Sequence, residues 1–193
     1  MISTIFLVIS LLLAISFHEA AHAYAADRLG DPTAKYAGRL TLNPLAHLDP
    51  LGTLALIFVH IGWGKPVPVN PNNLKHPSWY NFLIALAGPS TNIALALVAA
   101  FILHFTASIA GLSDFLAAFI ALNLVLMIFN LIPIPPLDGS KIWHLVLSNE
   151  NYYALERMGP VILLAVLVFS FSFGGFLTNF VGNATNYIYN LIT

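Results

Sequence analysis

The residues best able to do chemistry lie close together near the start of the chain, where His18, Glu19 and His22 form the pattern H-E-x-x-H. On an α-helix, side chains four positions apart lie on the same face, so both histidines can direct an imidazole nitrogen at one divalent metal. The Glu19 carboxylate is close enough to take a proton from a water molecule at that metal. The pattern therefore predicts a hydrolytic metal site with two histidine ligands and a glutamate base.

The residues before this motif are almost all apolar and predict a helix inside a membrane. The alternative is a surface helix that carries two histidines by chance. In an apolar setting, a carboxylate and two imidazoles are costly unless they face a cavity or one another. This cost favours the metal site over the surface helix.

The composition excludes a soluble globular protein. The chain has 193 residues, of which 59% are hydrophobic and only 8% are charged, against about 25% charged in soluble domains. A net charge of -1 without a basic cluster gives no indication of nucleic-acid binding. The chain has no cysteine, so any metal must be held by histidine, aspartate or glutamate.

Four apolar stretches are long enough to cross a bilayer, at residues 2–26, 79–109, 115–132 and 160–180. The first lacks the basic start and the small-residue cleavage site of a signal peptide, so we expect it to remain as a membrane helix. No internal repeat is found. The sequence therefore predicts an all-α polytopic membrane protein with about four transmembrane helices.

Two further segments lie between the first and second spans. Residues 51–63 are apolar but too short to cross as a helix, which predicts a re-entrant segment. Prolines at alternate positions then favour an extended, membrane-associated strand or hairpin that can pair only along one edge. Its candidate residues for pairing with an unwound substrate are Pro66, Val67, Pro68, Val69 and Asn70. An ordinary proline-rich loop remains the alternative.

With these spans, every lysine and arginine falls on one side of the membrane. The positive-inside rule makes that side cytoplasmic and places the N- and C-termini on the opposite side. His18 and His22 then lie near the cytoplasmic end of the first span, and Asp138 lies just beyond the cytoplasmic end of the third. The two parts of the chain can therefore meet at one depth.

A catalytic zinc usually has three protein ligands and one open position. Asp138 is the best third candidate, because it follows a helix end broken by prolines and precedes Gly139, which frees the backbone to aim the carboxylate. Asp138 could instead be the N-cap of a helix that begins at Ser140. The weaker candidates are Asp27 and Asp31, which follow too closely on the helix end, and His47, Asp49 and His60, which are possible in principle.

Gly88 and Asn92 lie one turn apart in the second span and share a face. This spacing allows close helix approach and a hydrogen bond between helices. A pure packing role and a catalytic role for Asn92 both remain open.

The motif at residues 18–22, together with Asn130-Leu131-Ile132-Pro133-Ile134-Pro135-Pro136-Leu137-Asp138-Gly139, resembles the site-2 protease family of intramembrane metalloproteases, peptidase family M50. Segments 43–50, 64–70 and 87–92 also resemble the short prokaryotic members without a PDZ domain. The resemblance implies one Zn²⁺ held by His18, His22 and Asp138, with Glu19 as the catalytic carboxylate and Asn130 facing the site. It further implies a substrate that is a transmembrane helix of another protein.

The resemblance also sets the expected organisation and partners. We expect a single membrane protease domain over residues 1–193, with a catalytic core over 1–148 and an extra C-terminal span at 155–180, in a prokaryotic inner membrane. Without a PDZ or nucleotide-sensing domain, substrate selection would fall to the membrane body or to a regulatory membrane protein. Asn130, or Asn92, is a candidate donor to the developing oxyanion.

Two other functions compete with proteolysis. A membrane metal-binding or metal-transport protein would predict ligands on several spans and an inverted repeat, and Glu19 would have no obvious use in it. An inactive protease-like scaffold would predict a damaged motif, whereas this motif is intact.

Overall fold

A computed structural model describes residues 2–49 and 64–193 of the chain. It confirms an all-α membrane fold, since four helices are long and apolar enough to cross a bilayer. The predicted re-entrant segment at 51–63 lies outside the described residues. The helices are α1 (Ile2–Arg28), α2 (Thr33–Tyr36), α3 (Pro77–Thr106), α4 (Leu112–Asn130), α5 (Trp143–Val146), α6 (Asn149–Ser172) and α7 (Phe176–Ile192). The four candidate spans are α1, α3, α4 and α6.

Helix α1 carries the H-E-x-x-H motif and ends soon after it. Gly30 has a left-handed φ of 105°, which only glycine adopts readily. The Asp31 N–H donates to Ala26 O at 2.8 Å, and the Gly30 N–H donates to Asp27 O at 3.3 Å. These two bonds form a Schellman motif, which terminates the helix. The histidine pair therefore lies close to the end of the first span.

Helices α1, α3 and α4 pack around one apolar core. Their contact combines alanines with larger residues of α4, and small residues let helix backbones approach closely inside a membrane. Close packing of this kind fixes the rotation of α1 relative to α3. The core residues include Ala14, Ala96, Ala99, Ala100, Phe119, Ile120 and Leu124.

The C-terminal region differs from the prediction of a span at 155–180. Helix α6 begins at Asn149 and ends at Ser172, and Gly174 and Gly175 follow with φ of 80° and 69°. Two successive left-handed residues end the helix at this point. The residues that follow form a separate helix of 17 residues, α7, whose Leu177 and Val181 join the core beside α4. The side on which the C-terminus lies stays a prediction.

The backbone at residues 64–65 is hydrogen-bonded to the backbone at residues 47–48. Leu48 and Gly64 form an isolated antiparallel bridge, and the Lys65 N–H donates to His47 O at 2.9 Å. Among the described residues the pairing extends no further as a named strand. Pro66 and Pro68 are exposed, whereas Val67 and Val69 are half-buried. The strand or hairpin at 66–70 remains a prediction.

Candidate metal centre

Three side chains from distant parts of the chain converge where α1 meets the turn after α4. The Nε2 atoms of His18 and His22 are 3.0 Å apart. Asp138 Oδ2 lies 3.2 Å from His18 Nε2 and 3.3 Å from His22 Nε2. Both histidines are buried, and Asp138 is mostly so. Within the described residues these three are the group whose ligand atoms lie close enough to share a metal.

The tautomers implied by the hydrogen bonds show what this centre can hold. His18 Nδ1 lies 2.6 Å from Asn92 Oδ1, and His22 Nδ1 lies 2.7 Å from Ile84 O. Both partners are acceptors, so each Nδ1 carries the proton and each neutral ring turns the lone pair of Nε2 toward Asp138. Three acceptors that face one another require positive charge between them.

The spacing of the three atoms fits zinc. Ligands at 2.0–2.2 Å from a tetrahedral zinc lie roughly 3.3 Å from one another, close to the observed 3.0 to 3.3 Å. Asp138 Oδ2 is buried and makes no hydrogen bond within the described part of the chain. This oxygen is therefore available as a metal ligand.

The turn after α4 places Asp138. Asp138 is the first residue of a short 3₁₀ turn, Asp138–Ile142, whose N-cap is Leu137, so the alternative role of Asp138 as a helix N-cap is wrong. A Cβ on Gly139 would lie 2.5 Å from Leu131 C and 2.8 Å from Ile132 O. Gly139 is therefore required for close backbone packing, and not for the conformational freedom that the sequence suggested.

Gly88 brings the histidine pair against α3. A Cβ at this position would lie 2.6 Å from His18 Nε2 and still closer to His22 Nε2. The one-turn spacing of Gly88 and Asn92 thus has the predicted result, in which α1 and α3 approach closely and a hydrogen bond joins them.

The two asparagines predicted as catalytic candidates lie in different settings. Asn92 contacts His18 Nδ1, on the side away from the ligand atom, and its Nδ2 donates to Asn123 Oδ1 at 2.8 Å. Its amide is used in these contacts behind the histidine, and the suggested role of Asn92 as an oxyanion donor stays a prediction. Asn130 Nδ2 donates to Leu126 O of its own helix at 3.0 Å, and its role stays a prediction.

The predicted base, Glu19, is half-buried on α1 beside the start of the extended segment. A Cβ on Gly64 would lie 3.9 Å from Glu19 Oε1 and 3.2 Å from His47 O. The backbone that leads into residues 65–70 therefore passes next to the carboxylate.

Arg39, which the sequence did not single out, holds this segment. It is 3% exposed, and its guanidinium donates to Pro66 O at 3.1 Å and to Lys65 O. Burial lowers the pKa of Arg39, and the charge of Glu19 partly opposes this shift. His47, one of the weaker ligand candidates, instead uses Nε2 on Thr41 O at 2.8 Å. The sequence carried no local signal for this role, because it depends on contacts 26 and 27 residues away.

Asp31, another weaker ligand candidate, is fully buried and binds the far end of the segment. Its carboxylate accepts from the Asn70 N–H at 2.7 Å, from Asn73 Nδ2 at 2.7 Å and from Thr33. Burial raises the pKa of Asp31, but these bonds lower it further, to below its ordinary value. Arg39 and Asp31 thus anchor the extended segment at its two ends.

Comparison with known proteins agrees with this geometry. The model of the Peptidase family M50 matches residues 105–174, which include Asp138. The chain is 45% identical over 146 residues to "Putative zinc metalloprotease YwhC" of Bacillus subtilis, covering 71% of this chain and 67% of that protein. It is 34% identical over 164 residues to "Putative zinc metalloprotease Rip2" of Mycobacterium tuberculosis, covering 81% of this chain and 63% of that protein.

The mycobacterial match therefore spans slightly less than two thirds of that relative. No solved structure matches the chain. The family match and the identity to a curated relative over two thirds of its length show that this membrane-spanning chain belongs to peptidase family M50, the intramembrane zinc metalloproteases.

Proposed function

We propose that this protein hydrolyses peptide bonds within or near the transmembrane segments of other membrane proteins, using one zinc ion held by His18, His22 and Asp138. The observation that carries the proposal is the convergence of three metal-binding atoms, 3.0 to 3.3 Å apart, beside a glutamate at the end of a membrane helix. A buried site of this kind suits a substrate that is itself in the bilayer.

Zinc in such a site lowers the pKa of water to about 7 and polarises a carbonyl group. The chain supplies the proton transfers, in which the Glu19 carboxylate accepts a proton from the attacking water and delivers it to the leaving amine. Asn130, at the end of α4, is the candidate donor to the oxygen that becomes negative.

The extended segment at 66–70 is the proposed place where substrate backbone pairs. A helical substrate hides its peptide bonds in its own hydrogen bonds and must unwind before cleavage, which leaves backbone groups unpaired in the membrane. An extended segment can satisfy those groups by adding the substrate as a strand. In support, Arg39 and Asp31 anchor the segment, and Gly64 begins it beside Glu19.

The charge distribution supports a site on the cytoplasmic side of a prokaryotic inner membrane. Among the described residues, lysine and arginine lie at or after the end of α1, before α3, between α4 and α6, and in the first half of α6, where Arg157 lies. Because consecutive spans alternate in direction, we expect these positions to lie on one side. The loop between α3 and α4, on the other side, carries neither residue type.

Replacing Asp138 by alanine tests the ligand set directly. We expect zinc affinity to fall about 100-fold, because structural zinc sites with four protein ligands gain roughly 10–16 kcal/mol, which is about 3 kcal/mol for each ligand. Zinc content and cleavage of a membrane-anchored peptide would be measured in detergent. Asp114→Ala, an exposed aspartate in the first turn of α4, is the control. Unchanged zinc affinity in Asp138→Ala would exclude this residue as a ligand.

Replacing Arg39 by methionine tests the role of the extended segment. We expect zinc content to be retained and KM to rise about tenfold, since a hydrogen bond to a charged group contributes roughly 1.5 kcal/mol or more. Arg39→Lys should not restore KM, because an ammonium group cannot reproduce the planar fork that spans two carbonyls. The exposed Arg157→Met is the control. A fall in kcat with KM unchanged would contradict the pairing role.

A further inference from the structure

A chain of side-chain hydrogen bonds connects His18 with helix α4. His18 Nδ1 donates to Asn92 Oδ1 at 2.6 Å, and Asn92 Nδ2 donates to Asn123 Oδ1 at 2.8 Å. Asn123 Nδ2 in turn donates to Phe119 O at 2.9 Å. Both asparagines are 0% exposed, so neither amide can exchange these partners for water. The chain therefore links three membrane helices at the metal centre.

Which atom donates in each of these hydrogen bonds follows from the last acceptor in the series, Phe119 O. Phe119 O is a backbone carbonyl, which only accepts, so Asn123 must turn Nδ2 toward it and Oδ1 toward Asn92. Asn92 must then turn Nδ2 toward Asn123 and Oδ1 toward His18. The proton of His18 is thereby held on Nδ1, and Nε2 is left with the lone pair that a metal needs.

The two histidines differ in how they are oriented. His22 Nδ1 donates to a backbone carbonyl, Ile84 O, whose polarity cannot be reversed. His18 depends on an amide side chain, which can turn over and present N–H where it now presents oxygen. In that orientation His18 Nδ1 would have to accept, and the proton would move to Nε2, the ligand atom. Of the two histidines, only His18 therefore depends on a further group, one that fixes the orientation of its partner Asn92.

We propose that Asn123 is a positioning residue for the metal centre, which fixes the amide of Asn92 and through it the tautomer of His18. Asn123 Oδ1 is the nearer acceptor for Asn92 Nδ2, since the other contact, Ala14 O, lies at 3.5 Å. Without Asn123 the Asn92 amide loses its preferred orientation, and the zinc-free enzyme divides between two His18 tautomers. The inference rests on the proposed zinc site, although the tautomer itself can be observed without zinc.

The test compares Asn123→Leu and the smaller Asn123→Ala with the wild-type full-length protein in detergent. Zinc affinity would be measured by competition with a chromophoric chelator, and the His18 tautomer by nitrogen NMR of the zinc-free protein. We expect both variants to bind zinc about 10- to 100-fold more weakly, as is typical when a group behind a ligand is lost. We also expect a population of His18 protonated on Nε2.

Two further variants separate positioning from general destabilisation. Asn123→Asp, protonated in this apolar setting, keeps one accepting oxygen and one O–H donor, so it should restore zinc affinity. Ser16→Ala removes a buried hydroxyl on α1 that, among the described residues, donates to Leu12 O of its own helix at 2.6 Å. We expect this control to leave zinc affinity and the His18 tautomer unchanged.

A double-mutant cycle provides the sharpest outcome. Aspartate at position 92 lies directly behind the zinc-bound His18 and is ionised there, so it has no hydrogen to present to Nδ1. Asn123→Leu should therefore cause no further loss of zinc affinity in an Asn92→Asp background. Additive losses, or a His18 that stays protonated on Nδ1 in Asn123→Leu, would overturn the inference. Failure of the wild type to bind zinc would instead refute the proposed function, and the NMR result would still decide the role of Asn123.

Discussion

Replacing Glu19 by glutamine should leave zinc bound and reduce peptide cleavage by about 10²- to 10⁴-fold, the usual contribution of a positioned general base. Glutamine keeps the size and polarity of the side chain but cannot accept the proton of the attacking water. The ligand atoms of His18, His22 and Asp138 are untouched by this change. Zinc content by atomic absorption and cleavage of a membrane-anchored peptide in detergent would together measure the result.

The matched control is Glu150→Gln, which changes an exposed glutamate in the first turn of α6. This variant should cleave at the wild-type rate. If Glu19→Gln retained both zinc and full activity, the proposed mechanism would be refuted, and metal binding or transport would become the better account. Membrane proteins that accumulate on the inactive Glu19→Gln form would identify the substrate.

Replacing Gly88 by alanine should strongly weaken metal binding and abolish cleavage. The added methyl would lie 2.6 Å from His18 Nε2 and nearer still to His22 Nε2, so either the rings rotate or α1 moves away from α3. Rotation breaks the contacts of His18 with Asn92 and of His22 with Ile84. We expect zinc affinity to fall at least about 100-fold and the free energy of unfolding to fall by about 1–3 kcal/mol, as in other overpacked cores.

Gly182→Ala is the control for this prediction, since a Cβ at this position of α7 would meet no heavy atom of the described residues within 4 Å. Alanine there should have no effect on zinc binding and should favour the helix slightly. Wild-type zinc affinity in Gly88→Ala would show that the two helices can separate without disturbing the ligands. That result would contradict the close packing described above.

Much of the site could be predicted from the sequence because it depends on local periodicity and on simple exclusion. The positions of His18 and His22, four residues apart, place both on one helix face whatever the rest of the chain does. Asp138 was favoured because a catalytic zinc needs a third ligand and few candidates existed. The structure brings these three residues together.

The partners of the ligands could not be predicted, because they depend on how helices distant in sequence are rotated against each other. Asn92 lies 74 residues from His18, and its type and spacing were equally consistent with packing and with catalysis. The roles of Arg39 and Asp31 were hidden for the same reason, since each binds a segment more than 25 residues away.

The sequence by itself determined the membrane class, the approximate positions of the spans and the three candidate metal ligands, because these follow from hydropathy, helical periodicity and the small number of possible ligands. Only the tertiary structure decided which groups orient those ligands, why Gly88 and Gly139 must be glycine, and that the chain ends in a separate helix α7. The physical reason is that these features depend on contacts between helices, where small differences in rotation change which atoms meet.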